Sequence, residues 1–200
     1  MGKRLFDLFF SVTGLIVLLP VFLLISLLIV LDSKGGALYK QVRVGKNRKD
    51  FILYKFRTMK VESDKKLNLT VGNNDSRITR VGKVLRKFKI DELPQLLNVM
   101  FGDMSFVGPR PEVPKYVAMY NEKQLQVLSV RPGITDYASI KFRNENELLA
   151  KAEKPEAFYI TEIMPVKLGL NLFYIRNRSF LMDLKLIIKT ALLIFVRSSE

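Results

Sequence analysis

Neither histidine nor cysteine occurs anywhere in the 200 residues. Without cysteine there is no disulfide, no thiolate nucleophile and no thiolate metal site. Without histidine most zinc chemistry and the usual catalytic triads are excluded. A carboxylate is then the strongest remaining nucleophile or base, and any metal must be a hard, oxygen-bound ion, with magnesium the first choice. Negative charge is scarce too: 33 Lys and Arg face 19 Asp and Glu, leaving +14. At 48% apolar residues the chain is too hydrophobic for a disordered one. A folded protein with an anionic partner follows, whether nucleic acid, phospholipid or a phosphorylated substrate.

From Phe9 to Leu31 there is a stretch of 23 residues without a charge. As a helix it reaches roughly 34 Å, enough for a hydrocarbon core, and it exceeds the apolar region of a cleaved signal peptide. Pro20, in its middle, removes a backbone donor and predicts a kink. Lys3 and Arg4 precede the run, and Lys34, Lys40, Arg43, Lys46, Arg48 and Lys49 follow it. Positive charge prefers the cytoplasmic side, so a bent helix that re-enters keeps both clusters inside. A kinked span held by the heavier cluster fits these residues equally.

Beyond residue 33 the pattern turns to strands. Leu38 to Val44 and Phe51 to Thr58 read as a hairpin, with Lys55 and Arg57 on one face and Tyr54, Phe56 and Thr58 on the other. Val61 to Ser76 reads as a polar loop. Helices are predicted over Val81–Ile90, with Val81, Val84, Leu85 and Phe88 on one face, and over Asp91–Met100, closed by Gly102. Further helices are predicted over Val113–Leu128, Glu145–Glu156 and Phe180–Val196, the last amphipathic enough to pack or to lie in a membrane interface. No repeat or linker interrupts the chain. The fold class is α+β and mostly helical, with a membrane element over 1–33 and one domain over 34–200.

Chemistry concentrates in Lys89-Ile90-Asp91-Glu92-Leu93-Pro94-Gln95 and in Gly102 to Pro111. Neighbouring carboxylates on a helix point about 100° apart, so they suit two different jobs rather than one shared proton. Taken alone, Asp91 and Glu92 also fit a first-turn cap. Arg110, stiffened between Pro109 and Pro111, is presented with little backbone freedom, which suits gripping a phosphate or carboxylate. Lys55, Arg57 and Arg86 are further cations, each more readily a solvated charge than a ligand when taken singly.

In their order and spacing these segments resemble the bacterial sugar transferases that act as monotopic phosphoglycosyl transferases. The likeness rests on Lys3-Arg4-Leu5-Phe6-Asp7, Tyr54-Lys55-Phe56-Arg57-Thr58-Met59, Gly82 through Asn98, Gly102 to Pro111, Val130 to Thr135, and Asp183-Leu184-Lys185. It implies a small catalytic form that moves a phosphosugar from a UDP-sugar to polyprenol (undecaprenyl) phosphate, releasing UMP, as the first membrane step of a surface glycan pathway. It implies Asp91 as nucleophile and magnesium ligand, Glu92 as its assistant, and Arg86 and Arg110 as phosphate- or nucleotide-contacting arginines; Lys55, Arg57 and Arg131 are expected to bind substrate with them. It implies a helix that breaks at Pro20 and re-enters, amphipathic interface helices, and contact with phospholipids at the cytoplasmic face of the bacterial inner membrane. Nucleic acid is not an expected partner, and a homodimer is left open. Two departures stand out: Leu19 replaces the small residue common before the proline, and Asp136-Tyr137-Ala138-Ser139 replaces Gly-Trp-Ala-Gln in a stretch that bears on sugar choice. The competing readings are a membrane-anchored basic anion-binding module without catalysis, and a one-step glycosyltransferase leaving UDP, which the missing Asp-x-Asp motif disfavours.

Overall fold

The computed structural model describes residues 2–61 and 75–197, with side chains to 193. The predicted loop over Val61–Ser76 lies mostly outside the described residues. Helix α1 runs from Gly2 to Asp32 with Pro20 inside it. Its buried positions, Asp7, Ser11, Ile25 and Ile29, are joined by Gly14 against Leu96 and by Phe22, all at three-, four- or eight-residue intervals. One stripe of the helix therefore lies on the rest of the chain toward both ends, while no position from Leu15 to Val21 is buried. The other faces present Leu5, Phe9, Ile16, Val17, Leu23, Leu27 and Leu31 outward.

Both ends of α1 are tied down. At the start Lys3 reaches the Val107 carbonyl at 2.9 Å and pairs with Asp183, while Arg4 donates to the carbonyls of Val99 and Met100. The Asp7 carboxylate accepts from the Ser105 hydroxyl and the Phe106 N–H, each at 3.2 Å. At the other end Ile25 and Ile29 pack with Phe56 and Leu85, and Asp32 accepts from the Val81 N–H at 2.9 Å.

Strands β1 (Leu38–Val44) and β2 (Asp50–Phe56) form the expected antiparallel hairpin, with Gln41 opposite Leu53. Helix α2 (Arg80–Lys87) is capped by the Thr79 side chain, and its Gly82 lies so close to Thr58 that an added Cβ would stand 2.2 Å from that carbonyl oxygen. Of the apolar face predicted here, Val84 is exposed and Gly82 and Leu85 are the buried positions. A turn of 3₁₀ helix over Ile90–Glu92 precedes α3 (Gln95–Phe101), which Gly102 closes in a left-handed conformation. The single helix expected from Asp91 to Met100 is thus two pieces.

Short parallel strands β3 (Ser105–Val107) and β4 (Gly133–Thr135), which sequence periodicity did not suggest, set Gly108 against Gly133. The helix expected over Val113–Leu128 is broken into α4 (Pro114–Val117), α5 (Glu122–Leu125) and a 3₁₀ turn at Gln126–Ser129, because Asn121 and Gln124 form a capping box that restarts the chain. Helix α6 spans Tyr137–Lys141 and α7 spans Glu145–Lys151; Pro155 begins α8 (Pro155–Phe158), dividing the predicted Glu145–Glu156 helix. A π-helical turn at Tyr159–Ile163 leads into α9 (Met164–Asn177), and α10 (Phe180–Arg197) covers the expected terminal helix. Val113, Tyr116, Val127, Leu149, Tyr159, Met164, Leu168 and Leu172 form the largest apolar cluster.

Candidate active site

The site begins with a reversal of the backbone. Lys89 adopts a left-handed conformation (φ 57°), uncommon for a residue with a Cβ, and aims the Ile90–Glu92 turn away from the axis of α2. Asp91 comes to lie 8% exposed. Its Oδ1 is buried and has no hydrogen-bond partner.

Glu92 is the opposite. Lys55, from β2, donates to its Oε1 at 2.9 Å, and Arg110 forks across both oxygens, with Nη1 at 3.1 Å from Oε2. The two carboxyls accordingly titrate apart. Burial, then the charge of Glu92, raises Asp91 above the ordinary carboxylate range, opposed by Lys55, Lys89 and Arg86. Burial pushes Glu92 upward as well, but Arg110 and Lys55 together hold it well below its usual value. Neighbouring groups held in different protonation regimes are what a division of labour requires.

Arg110 is itself held on several sides. Its N–H donates at 3.0 Å to Asp136, whose second oxygen accepts from the Ser139 N–H. Arg43 donates to the Pro111 carbonyl at 3.0 Å and to Glu112 at 3.1 Å, and Tyr159 donates to the other Glu112 oxygen. Arg86 is fixed by its Nε donating to the Thr58 hydroxyl at 2.8 Å.

Asp91, Glu92, Lys55, Arg86 and Arg110 together line a cavity of about 980 Å³, with Lys83, Lys87 and Lys89 also among its lining residues. Arg57 and Arg131 are not among its lining residues. Strand β2 ends at Phe56, so the predicted alternation does not carry Arg57 to the face of Lys55. Instead the Arg57 guanidinium gathers the carbonyls of Ser33, Lys34, Gly35 and Gly36 and the Ser33 hydroxyl, closing the end of α1. Arg131 is exposed and donates to the Gly102 carbonyl at 2.7 Å. Arg43 and Glu112 escaped the sequence reading as site residues, and Asp136 entered it only as part of the stretch that departs from the family pattern. Only the position of Glu112 directly after Pro-Arg-Pro hinted at a role.

Among the described residues no cluster of three or more acidic side chains could hold a metal ion. Glu92 has both oxygens engaged, whereas Asp91 offers a free one. That donor set fits magnesium, which is commonly held by one or two carboxylates with substrate phosphates and water completing its shell.

Comparison with known proteins adds an independent result. A family model described as bacterial sugar transferase matches residues 1–197. The uncharacterized sugar transferase EpsL of Bacillus subtilis is 40% identical over 94% of this chain and 84% of its own length. The exopolysaccharide production protein PSS of Rhizobium leguminosarum is also 40% identical, over 94% and 92%. The UDP-glucose:undecaprenyl-phosphate glucose-1-phosphate transferase of Klebsiella pneumoniae is 38% identical over 98% of this chain, which spans 41% of that enzyme.

Proposed function

The chain belongs to the bacterial sugar transferase family, and we propose that it moves a phosphosugar from a UDP-sugar to polyprenol phosphate through a covalent aspartyl intermediate. One observation carries this reading: of two adjacent carboxyls, Glu92 is consumed by Lys55 and Arg110, and Asp91, a residue lining the cavity, keeps a buried, unpartnered oxygen. A desolvated carboxylate is a better nucleophile than a hydrated one. In the first step an Asp91 oxygen bonds to the sugar-bearing phosphorus, the bridging P–O–P bond breaks, and UMP departs with the bridging oxygen. In the second, an oxygen of polyprenol phosphate bonds to the same phosphorus and the Asp91–phosphorus bond breaks, restoring the carboxylate.

The cations of the cavity supply charge neutralisation, the main demand of phosphoryl transfer. Arg86 and the lysines of α2 face the diphosphate. Glu92 keeps the Arg110 fork and Lys55 in place and prevents them from closing on Asp91. Magnesium would be held by Asp91 and the substrate phosphates, and would lower the repulsion between two anions.

A polyprenol acceptor requires a membrane-bound site. The tethering of both ends of α1 to the same body supports a helix that enters and leaves on one face, here the cytoplasmic face of the inner membrane. Helix α10, with Phe180, Leu181, Leu184, Ile188 and Leu192 exposed, suits the interface beside it. The test is intact-mass spectrometry of the purified chain with UDP-sugars and no lipid acceptor, together with identification of the released nucleotide. A phosphosugar adduct lost in Asp91→Asn, with UMP as product, is expected. Release of UDP would overturn the reading.

A further inference from the structure

Burying a polar side-chain atom without a partner is unfavourable, so a folded protein keeps few of them. Among the described residues four such atoms occur, on Asp91, Gln95, Ser139 and Asn171. Three of these residues, Asp91, Ser139 and Asn171, line the one 980 Å³ cavity. Asp91 has its role in the chemistry; Ser139 Oγ and Asn171 Oδ1 have none yet. Asn171 is 4% exposed in the interior of α9, where asparagine is a poor helix former and an apolar residue would pack better. A second feature locates Ser139 relative to the reacting centre, and the packing of α6 on α9 brings the helix of Asn171 beside it. Asp136 accepts the N–H of Arg110 with one oxygen and that of Ser139 with the other. One carboxylate thereby fixes the start of α6 to the loop that presents the Arg110 guanidinium to Glu92.

We infer that Ser139 and Asn171 form an uncharged hydrogen-bonding subsite that reads the glycosyl group of the donor. Asn171 Oδ1 accepts from a sugar hydroxyl or amide N–H, and Ser139 Oγ donates or accepts beside it. Their neutrality suits a sugar ring rather than a phosphate, for which the cavity provides Arg86 and the α2 lysines. Coupling to the Arg110 loop suits the group attached directly to the reacting phosphorus rather than the more distant nucleobase. A site built to hydrogen-bond a substrate group rejects analogues lacking it more strongly than an apolar pocket does. The two residues are therefore specificity determinants, and this inference rests on the transferase reading above.

The experiment uses the whole chain in nanodiscs with UDP-glucose, UDP-galactose and their two N-acetylated counterparts, comparing wild type with Asn171→Leu and Ser139→Ala. Expected is a fall of roughly tenfold or more in kcat/KM for the preferred donor, compression of the ratio between donors, and UMP affinity within twofold of wild type. Ser139→Ala, a one-atom deletion, keeps the test open if Asn171→Leu fails to fold. Loss of UMP affinity in parallel would mean that the nucleobase is read, and would overturn the inference. So would a donor panel left unchanged by both variants. If wild type itself turns over no donor, the transferase reading falls and this inference with it.

Discussion

Two adjacent acids carry opposite burdens in this molecule, and their difference is measurable without substrate. Asp91 titrates above its ordinary value because burial and Glu92 oppose its charge. At any pH above the unfolded-state value its ionised form therefore costs folding free energy. Asp91→Asn removes that cost, so the variant is expected to be inactive, with UMP release down roughly 10³-fold or more, yet to melt at a higher temperature near neutral pH. The gain should vanish below about pH 4, where an aspartate is protonated in both states. Glu92 has the reverse sign. Its folded-state value is depressed by Arg110 and Lys55, so the stability it contributes is present above its unfolded value and is lost as pH falls through the folded one. Glu92→Gln breaks a buried pair and should lower stability by about 3 kcal/mol. It also removes the negative charge that raises Asp91 and frees two cations beside it. The acidic limb of UMP release, which follows ionisation of Asp91, should then move to lower pH. A limb that stayed put would mean that another group controls it.

At the level of elements, Arg57 connects α1 to the segment that holds Arg86 at the cavity. Its guanidinium satisfies carbonyls at the end of α1, and Thr58 next to it holds Arg86. A lysine cannot reproduce that fan of donors. Arg57→Lys is expected to lose roughly 2–3 kcal/mol in denaturant unfolding, with KM for the UDP-sugar nearly unchanged in the folded fraction. A large rise in KM with stability intact would restore Arg57 as a substrate ligand. This residue also marks where sequence periodicity stops informing. The hairpin, the Asp91-Glu92 pair, the stiff Arg110 loop and α10 were legible because each is encoded by local pattern or by turn residues, although the helix expected from Asp91 begins as a separate 3₁₀ turn. Alternation placed Arg57 beside Lys55, but the strand had already ended. Helix α9 was not legible because its apolar residues lie around the whole helix rather than along one face. Strands β3 and β4, three residues each, are too short to show a period. The partners of Arg110 and Glu92 come from segments far apart in the chain, and only the fold brings them together.

For the molecule as a whole, the decisive feature is that α1 is bound at Lys3, Arg4 and Asp7 and again at Ile25, Ile29 and Asp32, while its remaining faces stay apolar and exposed. A straight span would have to carry one of these bound ends, and the structure attached to it, through the hydrocarbon, where each unsatisfied polar group costs several kcal/mol. The proposed entry and exit on one face would avoid this and would keep both basic clusters on one side of the membrane. Because the chain has no cysteine, it can be tested directly with single introduced thiols. Gly2 opens α1 and Gly36 follows its end, and an added Cβ at either meets nothing within 4 Å. Gly2→Cys and Gly36→Cys should each resist a membrane-impermeant maleimide applied to intact spheroplasts and react fully after permeabilisation. If α1 spans the bilayer, one of the two is labelled from outside and the other is not, and the one-sided arrangement is then wrong whatever the chemistry of Asp91.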